Sequence, residues 1–217
     1  MTDPLIITLK TSIVATVITF FLGIFFARAV VNLKRFKGLA DAVLTLPMIL
    51  PPTVVGFFLL LIFGTRGVVG KFLLQFDVSL VFTWQAAVIA AVVVSLPLMY
   101  RTTRGAFEQL DRNIIDAART LGVSETKIFL RIMLPNARFG ILAGTVLAFT
   151  RTMGEFGATM MFAGNIPSKT QTMSTAIYAA VQANDYDLAF RQAILLVMLS
   201  IIFLLAATFY TQASRAD

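Results

Sequence analysis

The sequence has no cysteine and no histidine, and few of its 217 residues carry a charge. Without cysteine the chain can form no disulfide, no thiolate metal site and no cysteine nucleophile. Without histidine it lacks the commonest zinc ligand and the usual general base near neutral pH. These absences count against most hydrolases and metalloenzymes, and we expect neither a metal site nor a catalytic residue in this chain.

Charge is scarce because most of the chain is apolar. Charged residues make up 13% and hydrophobic residues 58%, whereas soluble domains carry about 25% charged residues. A bilayer core needs roughly 20 apolar residues per helix. Four uncharged runs, and a fifth run that contains one arginine and one glutamate, are long enough: 11–27, 42–63, 78–100, 192–214 and 139–163. We therefore predict an all-α integral membrane protein with five spans, in a single domain of residues 1–217.

The placement of lysine and arginine predicts the orientation in the membrane. The loop after the first span contains Lys34, Arg35 and Lys37, and seven basic residues lie between the third and fourth spans. Basic short loops mark the cytoplasmic side, so we expect the N-terminus outside and the C-terminus inside. The net charge of +7 then reflects topology rather than nucleic-acid binding. Asp3 stands where a signal peptide would be basic, so the first span is expected to be permanent.

A polar segment between the third and fourth spans has the pattern of two short helices. Small and apolar residues recur at helical spacing in its first half. These residues are Ile114, Ala117, Ala118 and Leu121. Gly122 suits the left-handed position that ends a helix, Ser124 and Glu125 suit the start of the next, and Pro135 is expected to stop it. The pattern fits a docking element for another protein or an ordinary solvated loop.

Prolines interrupt the second predicted span. Pro47, Pro51 and Pro52 each remove a backbone donor. In lipid, the freed carbonyl groups need neighbouring donors or a water-filled cavity. We predict irregular backbone that lines a translocation path, with Thr53 supplying a hydroxyl group; a simple helix kink is the alternative.

The fourth predicted span contains Arg151 and Glu155. Side chains four residues apart share one face of a helix and can pair. Charged groups at membrane depth are costly and usually mark a polar interior or a substrate route. Gly154 and Gly157 flank the glutamate, so the helix is expected to break there. We predict a part of the translocation path or its gate; the alternative is an ion pair that only fixes helix packing.

The chain has no phosphate-binding loop of the kind that hydrolyses ATP. Such a loop reads G-x-x-x-x-G-K-[ST]. In the nearest stretch, "GTRGVVGKF", Thr65 replaces the first glycine and Phe72 replaces the hydroxyl residue. We therefore expect no nucleotide cofactor in this chain.

The polar segment resembles the coupling loop of ABC-importer permeases. In that family an acidic residue and two alanines are followed by three residues, a glycine, nine residues and Ile-x-Leu-Pro. The matching residues are Asp116, Ala117, Ala118, Gly122, Ile132, Leu134 and Pro135, with Leu121 preceding the glycine. Aspartate stands where the family usually has glutamate, which keeps the charge and shortens its reach. The resemblance implies that this loop, about residues 101–137, docks in a groove of a separate cytoplasmic ATPase.

Longer stretches, among them "LPMILPPTVVGFFLL" and "GEFGATMMFAGNIP", are similar to the molybdate and tungstate branch of these permeases. The resemblance implies a type I ABC-importer permease fold in a bacterial or archaeal cytoplasmic membrane. It also implies a second copy of the chain, an ATPase dimer that binds ATP and Mg, and a periplasmic or lipid-anchored oxyanion-binding protein. The outer loop, about residues 165–188, is a candidate contact for the binding protein or a plain surface helix.

Other functions remain open at this point. Within the importer class the alternatives are sulfate, thiosulfate and phosphate. A channel or secondary transporter would work without an ATPase, although five spans without an inverted repeat argue against it. A membrane enzyme would need convergent acid and base groups, and Glu155 is the only acidic residue within the predicted spans.

Overall fold

The computed structural model describes residues 2–33 and 35–216, and Lys34, one of the residues used to predict orientation, lies outside them. The described residues form helices and connecting turns. The helices are α1 Thr2–Asn32, α2 Lys37–Ile49, α3 Pro52–Phe63, α4 Val68–Leu74, α5 Trp84–Glu108, α6 Arg112–Thr120, α7 Glu125–Ile128, α8 Leu134–Asn136, α9 Arg138–Met153, α10 Gly157–Phe162, α11 Met173–Gln182 and α12 Tyr186–Ala216, with a π-helical turn at Phe129–Met133 between α7 and α8.

Three of these helices are long and apolar enough to cross a membrane alone: α1, α5 and α12. Two bent pairs raise the number to five if each pair is one span. The third predicted span is displaced along the chain, since α5 begins at Trp84 rather than at residue 78. It begins there because the Thr83 hydroxyl accepts a hydrogen bond from the Ala86 amide and caps the helix.

The core is built on close packing between α1 and α5. Gly23 lies directly against Met99, with no space for a larger side chain. The hydroxyl groups of Thr19 and Ser95 are 3.1 Å apart, and Ala15 and Ala27 are fully buried. Small residues let membrane helices approach closely, and hydroxyl groups can bond between them. α9 packs against both helices and completes the bundle.

The second predicted span is broken, as expected, but the helix is interrupted only next to Pro51. α2 and α3 are bent by 112° at Leu50 and Pro51, where the backbone is extended. Pro47 lies inside α2, which continues to Ile49, so the expectation that Pro47 also breaks the helix is wrong. Pro52 occupies the first turn of α3, where a missing amide donor costs nothing.

The polar segment also differs from its prediction at one residue. Pro135 does not stop the second helix, which runs on through α8 to Asn136. The wider π-helical turn that precedes α8 makes room for the proline ring, which in an α-helix clashes with the carbonyl four residues earlier. The chain bends after α8 instead, at Ala137, and the bend into α9 is 71°.

Candidate functional site

The two helix breaks predicted for the translocation path lie against each other. A side chain at Gly157 would meet Pro52 Cβ at 2.9 Å and the Thr53 amide at 3.1 Å. A side chain at Gly56 would meet the backbone of Ala158 at 2.8 Å. The first turns of α3 and α10 are therefore in backbone contact, with glycine on both sides. We call this contact the break junction.

The charged pair sits on the other side of the same break. Glu155 is only 3% exposed, and its Oε2 lies 2.7 Å from Arg151 Nη1. Its Oε1 accepts a hydrogen bond of 2.8 Å from the Ala158 amide. Oε2 has no well-aligned hydrogen bond in addition to this ion pair. The carboxylate thus joins the end of α9 to the first turn of α10, across the break at Gly154.

The predicted glycine turn of the polar segment is confirmed. Gly122 has φ of 75°, the left-handed region that favours glycine. Its amide donates to the Arg119 carbonyl at 2.9 Å, and the Val123 amide donates to the Ala118 carbonyl at 3.0 Å. This pair of bonds is a Schellman motif, which satisfies the last carbonyl groups of α6.

The predicted small-residue stripe of α6 divides between two environments. Leu121 is 81% exposed, Ile114 is 53% exposed, and Ala117 is also exposed. Ala118 is buried and packs in the same cluster as Ile128. One side of α6 is therefore an exposed apolar face, which we call the α6 face and which consists of Ile114, Ala117 and Leu121. Ala118 holds α6 onto the rest of the chain.

Three residues of the predicted motif follow in the second half of the segment. Ile132 and Leu134 are partly buried against the same cluster, and Pro135 is exposed. Ile132 and Leu134 therefore help to attach the segment to the membrane helices, while the α6 face stays open.

An arginine clamp fixes the angle between α6 and α7. Arg119 Nη1 donates to Asp116 at 2.9 Å, and its Nε and Nη2 donate to the Glu125 carboxylate at 2.7 and 3.2 Å. Hydrogen bonding to Glu125, and then to Asp116, raises the pKa of the Arg119 guanidinium above its usual value. Asp116, the acidic residue of the predicted motif, is thus bonded within its own chain and stiffens the bend between α6 and α7. We call this bend, with the two helices that form it, the elbow.

Residues 19–215 match the family described as "Binding-protein-dependent transport system inner membrane component". The chain belongs to this family. It is therefore a multi-pass protein of the inner membrane and a subunit of the permease type.

Relatives and solved structures agree with this membership. The chain is 42% identical to the molybdenum transport system permease protein ModB of Escherichia coli strain K12, over 99% of this chain and 97% of the relative. It is 36% identical to the sulfate transport system permease protein CysT of Salmonella typhimurium, over 96% of this chain and 75% of that one. A bacterial ABC transporter that imports the acidic polysaccharide alginate has a chain of the same fold, with a TM-score of 0.81, 16% identity, and coverage of 97% and 78%.

This inner membrane component also contains a charge network that the sequence did not reveal. Arg104 on α5 donates to Glu108 at 3.0 Å and to Asp41 on α2. Lys37 pairs with the same Glu108 at 2.7 Å, and the buried Tyr100 hydroxyl donates to Asp41 at 3.0 Å. The spacing of Arg104 and Glu108 could have indicated their pairing, but Asp41 is distant in sequence. The network attaches α2, the first helix of the bent second span, to α5.

No group of three or more histidine, cysteine, aspartate or glutamate side chains that could hold a metal ion occurs within residues 2–33 and 35–216.

Proposed function

We propose that this chain is the membrane-spanning permease subunit of an ATP-driven importer for molybdate. The choice of molybdate as the substrate rests on the nearly full-length match to a molybdenum permease at 42% identity. The sulfate permease match is lower, at 36%, and this chain spans only 75% of that relative. Sulfate or thiosulfate is the second candidate, because that match is still extensive and the anions share their tetrahedral shape. Tungstate belongs to the same proposal as molybdate.

The proposed topology places the N-terminus outside and the C-terminus inside. Of the seven basic residues between the third and fourth predicted spans, four lie in α6, α7 or the π-helical turn. Two more lie within eight residues of these elements. This concentration supports a cytoplasmic position for the segment. α11 is then on the outer side, where Tyr178 and Val181 are partly exposed and available to a periplasmic or lipid-anchored binding protein.

The α6 face is the proposed contact with a cytoplasmic ATPase dimer, which would bind ATP and Mg. It offers exposed apolar side chains on a short helix whose angle is fixed by the Arg119 clamp. Helices that lay an apolar face into a groove are a common mode of recognition. Asp116 and Gly122 keep the elbow rigid, and Ala118, Ile132, Leu134 and Pro135 transmit its movement to the membrane helices.

Coupling to the path runs through continuous structure in this proposal. The polar segment continues across the bend at Ala137 into α9, and α9 ends at the Arg151–Glu155 pair. A displacement of the elbow by the ATPase would therefore move α9 and open or close the break junction. Alternating access between two such states would carry the oxyanion along the interface with a second copy of the chain.

The gate is proposed to comprise the break junction and the ion pair, from Pro47, Pro51, Pro52 and Thr53 to Arg151, Gly154 and Glu155. The Glu155 carboxylate already forms an ion pair with Arg151 and accepts a hydrogen bond from the Ala158 amide. An incoming oxyanion meets no free positive charge at this pair until the helices rearrange. Arg151 would thus attract the oxyanion only in the conformation in which the helices have rearranged and the path is open to the oxyanion.

The substrate is tested in the complete importer, reconstituted in vesicles with its ATPase and its binding protein. Molybdate is expected to stimulate ATP hydrolysis at concentrations at which sulfate, thiosulfate and phosphate do not. Stimulation by sulfate alone would replace molybdate with the second candidate. Uptake that continues without any ATPase would contradict the importer proposal altogether.

Replacing Glu155 by glutamine tests the gate. The Glu155→Gln side chain keeps its shape and its bond from the Ala158 amide but leaves Arg151 without its ion-pair partner. Because the positive charge of Arg151 is then uncompensated, we expect a higher ATP-independent leak of molybdate and weaker stimulation by substrate. Both quantities can be measured in vesicles with radioactive molybdate. Thr150→Val, a substitution on α9 next to the pair, is the control. Unchanged leak and uptake in Glu155→Gln would rule out the gate.

A further inference from the structure

An apolar groove of about 680 Å³ runs between α1 and α9. Its lining is mostly aromatic and aliphatic and includes Phe129 from the π-helical turn. The wall residues used below are Phe20, Phe21 and Ile24 on α1, and Phe139 and Leu142 on α9. Phe21 is two-thirds exposed, so the groove opens sideways from the helix bundle. Because this family lies in the inner membrane, a groove in that position faces lipid chains rather than water.

One end of the groove is positively charged. Arg138 lines it and is the first residue of α9. Its guanidinium lies 4.7 Å from the centre of the Phe139 ring. Arg28, four residues before the end of α1, stacks at 4.0 Å on the ring of Phe129, which lines the groove. Both arginines are therefore at the same end of two neighbouring membrane helices.

Neither arginine is neutralised by a carboxylate. None of the ion pairs within residues 2–33 and 35–216 includes Arg28 or Arg138. Glu125 is close enough to feel the charge of Arg28, but its hydrogen bonds go to Arg119. Guanidinium groups are suited to phosphate, to which they can donate two parallel hydrogen bonds. An apolar groove whose end carries two guanidinium groups, neither of them in an ion pair within the described residues, matches a molecule with a hydrocarbon chain and an anionic head.

We propose that the groove holds one anionic phospholipid. One acyl chain lies between Phe21 and Leu142, and the phosphate group is held by Arg138 with a contribution from Arg28. Basic pockets between membrane helices are known to select anionic head groups, and a second positive charge favours a lipid with net negative charge over a zwitterionic one. Since α1 and α9 both border the polar segment, the lipid would occupy a joint between the elbow and the membrane helices.

Lipid retention tests this site directly. The full-length chain, purified from membranes with the subunits that accompany it, is delipidated and titrated with phosphatidylglycerol or phosphatidylcholine. Native mass spectrometry then counts the bound lipids. We expect one phosphatidylglycerol to be retained in preference to phosphatidylcholine. Arg138→Gln should weaken its retention about fivefold, the effect of one basic residue near a lipid surface.

Three further variants make the result specific. Arg191→Gln removes one positive charge at the start of α12 and is expected to leave retention unchanged. Arg138→Lys keeps the charge without the two-pronged donor and should fall between wild type and Arg138→Gln. Leu142→Trp fills the groove and should reduce retention of both lipids.

Three results would overturn the lipid site. One is equal retention of the two lipids, and another is wild-type retention in Arg138→Gln. The third is a change of oligomeric mass in Leu142→Trp without loss of lipid, which would show that a second copy covers the groove. None of these measurements requires transport, so failure of the lipid site is distinguishable from failure of the proposed function.

Discussion

Replacement of Gly56 by leucine is expected to slow coupled uptake severalfold or more while leaving the chain in the membrane. A side chain at this position meets the Ala158 backbone at 2.8 Å, and backbone cannot rotate away as a flexible side chain can. Overpacking of this kind costs about 1–3 kcal/mol, which shifts an equilibrium between two packed arrangements by roughly 5-fold to 150-fold. We therefore expect α3 and α10 to be held apart, with an at least roughly fivefold lower rate of ATP-dependent molybdate uptake in vesicles.

Gly38 provides the matched control for this substitution. It lies near the start of α2, has an ordinary backbone conformation, and has no atom within 4 Å of the position that a side chain would occupy. Gly38→Leu should transport at close to the wild-type rate. If Gly56→Leu also transported normally, at equal amounts of protein in the vesicles, the break junction would have no part in the path. Loss of the protein from the membrane would instead show that the contact is needed only for folding, so the protein level is measured in every case.

Replacement of Gly122 by proline is expected to detach the ATPase. Proline fixes φ near −65°, whereas Gly122 has φ of 75°, and proline also removes the amide that donates to the Arg119 carbonyl. The Schellman turn cannot form, and the α6 face loses its fixed angle. The membrane helices contain none of these bonds and should remain folded. Co-purification of the ATPase with the permease should fall to background, and substrate-stimulated ATP hydrolysis should fall with it.

Asparagine at the same position separates the turn from the glycine itself. Asparagine tolerates the left-handed region better than other residues with side chains, and there is open space around Gly122. Gly122→Asn should therefore keep most of the bound ATPase. Equal binding of the ATPase by Gly122→Pro and wild type would show that the α6 face is not the docking element. Chemical crosslinks from Leu121 that reach only lipid or this chain would have the same meaning.

Local chemistry explains the features that could be predicted from sequence. Gly122 and the Arg151–Glu155 pair depend on residues within a few positions of each other, so helix geometry alone predicts the turn and the ion pair. The broken second span follows from proline chemistry at residues 51 and 52. The coupling role assigned to the polar segment and the gate role assigned to these residues stay predictions, because their partners act on the chain from outside.

Local rules failed at two prolines and one alanine. Pro47 and Pro135 were expected to break or stop helices, and both lie within helical backbone. At Pro135 a π-helical turn absorbs the ring, and nothing in the residues from 129 to 133 indicates such a turn. Ala118 shares its helical spacing with Ile114 and Leu121, yet it is buried while they are exposed, because spacing places a residue on a face of α6 without showing what that face contacts.

The sequence by itself determined that this is a helical membrane protein with a polar elbow, since apolar run length, charge placement and the glycine turn are properties of short stretches. Only the tertiary structure decided that Gly157 lies on Pro52 and that Arg104 reaches Asp41. It also decided that α1 and α9 leave a groove ending at Arg138. These contacts join residues 63 to more than 100 positions apart, whose proximity depends on the packing of whole helices and leaves no periodic trace along the chain.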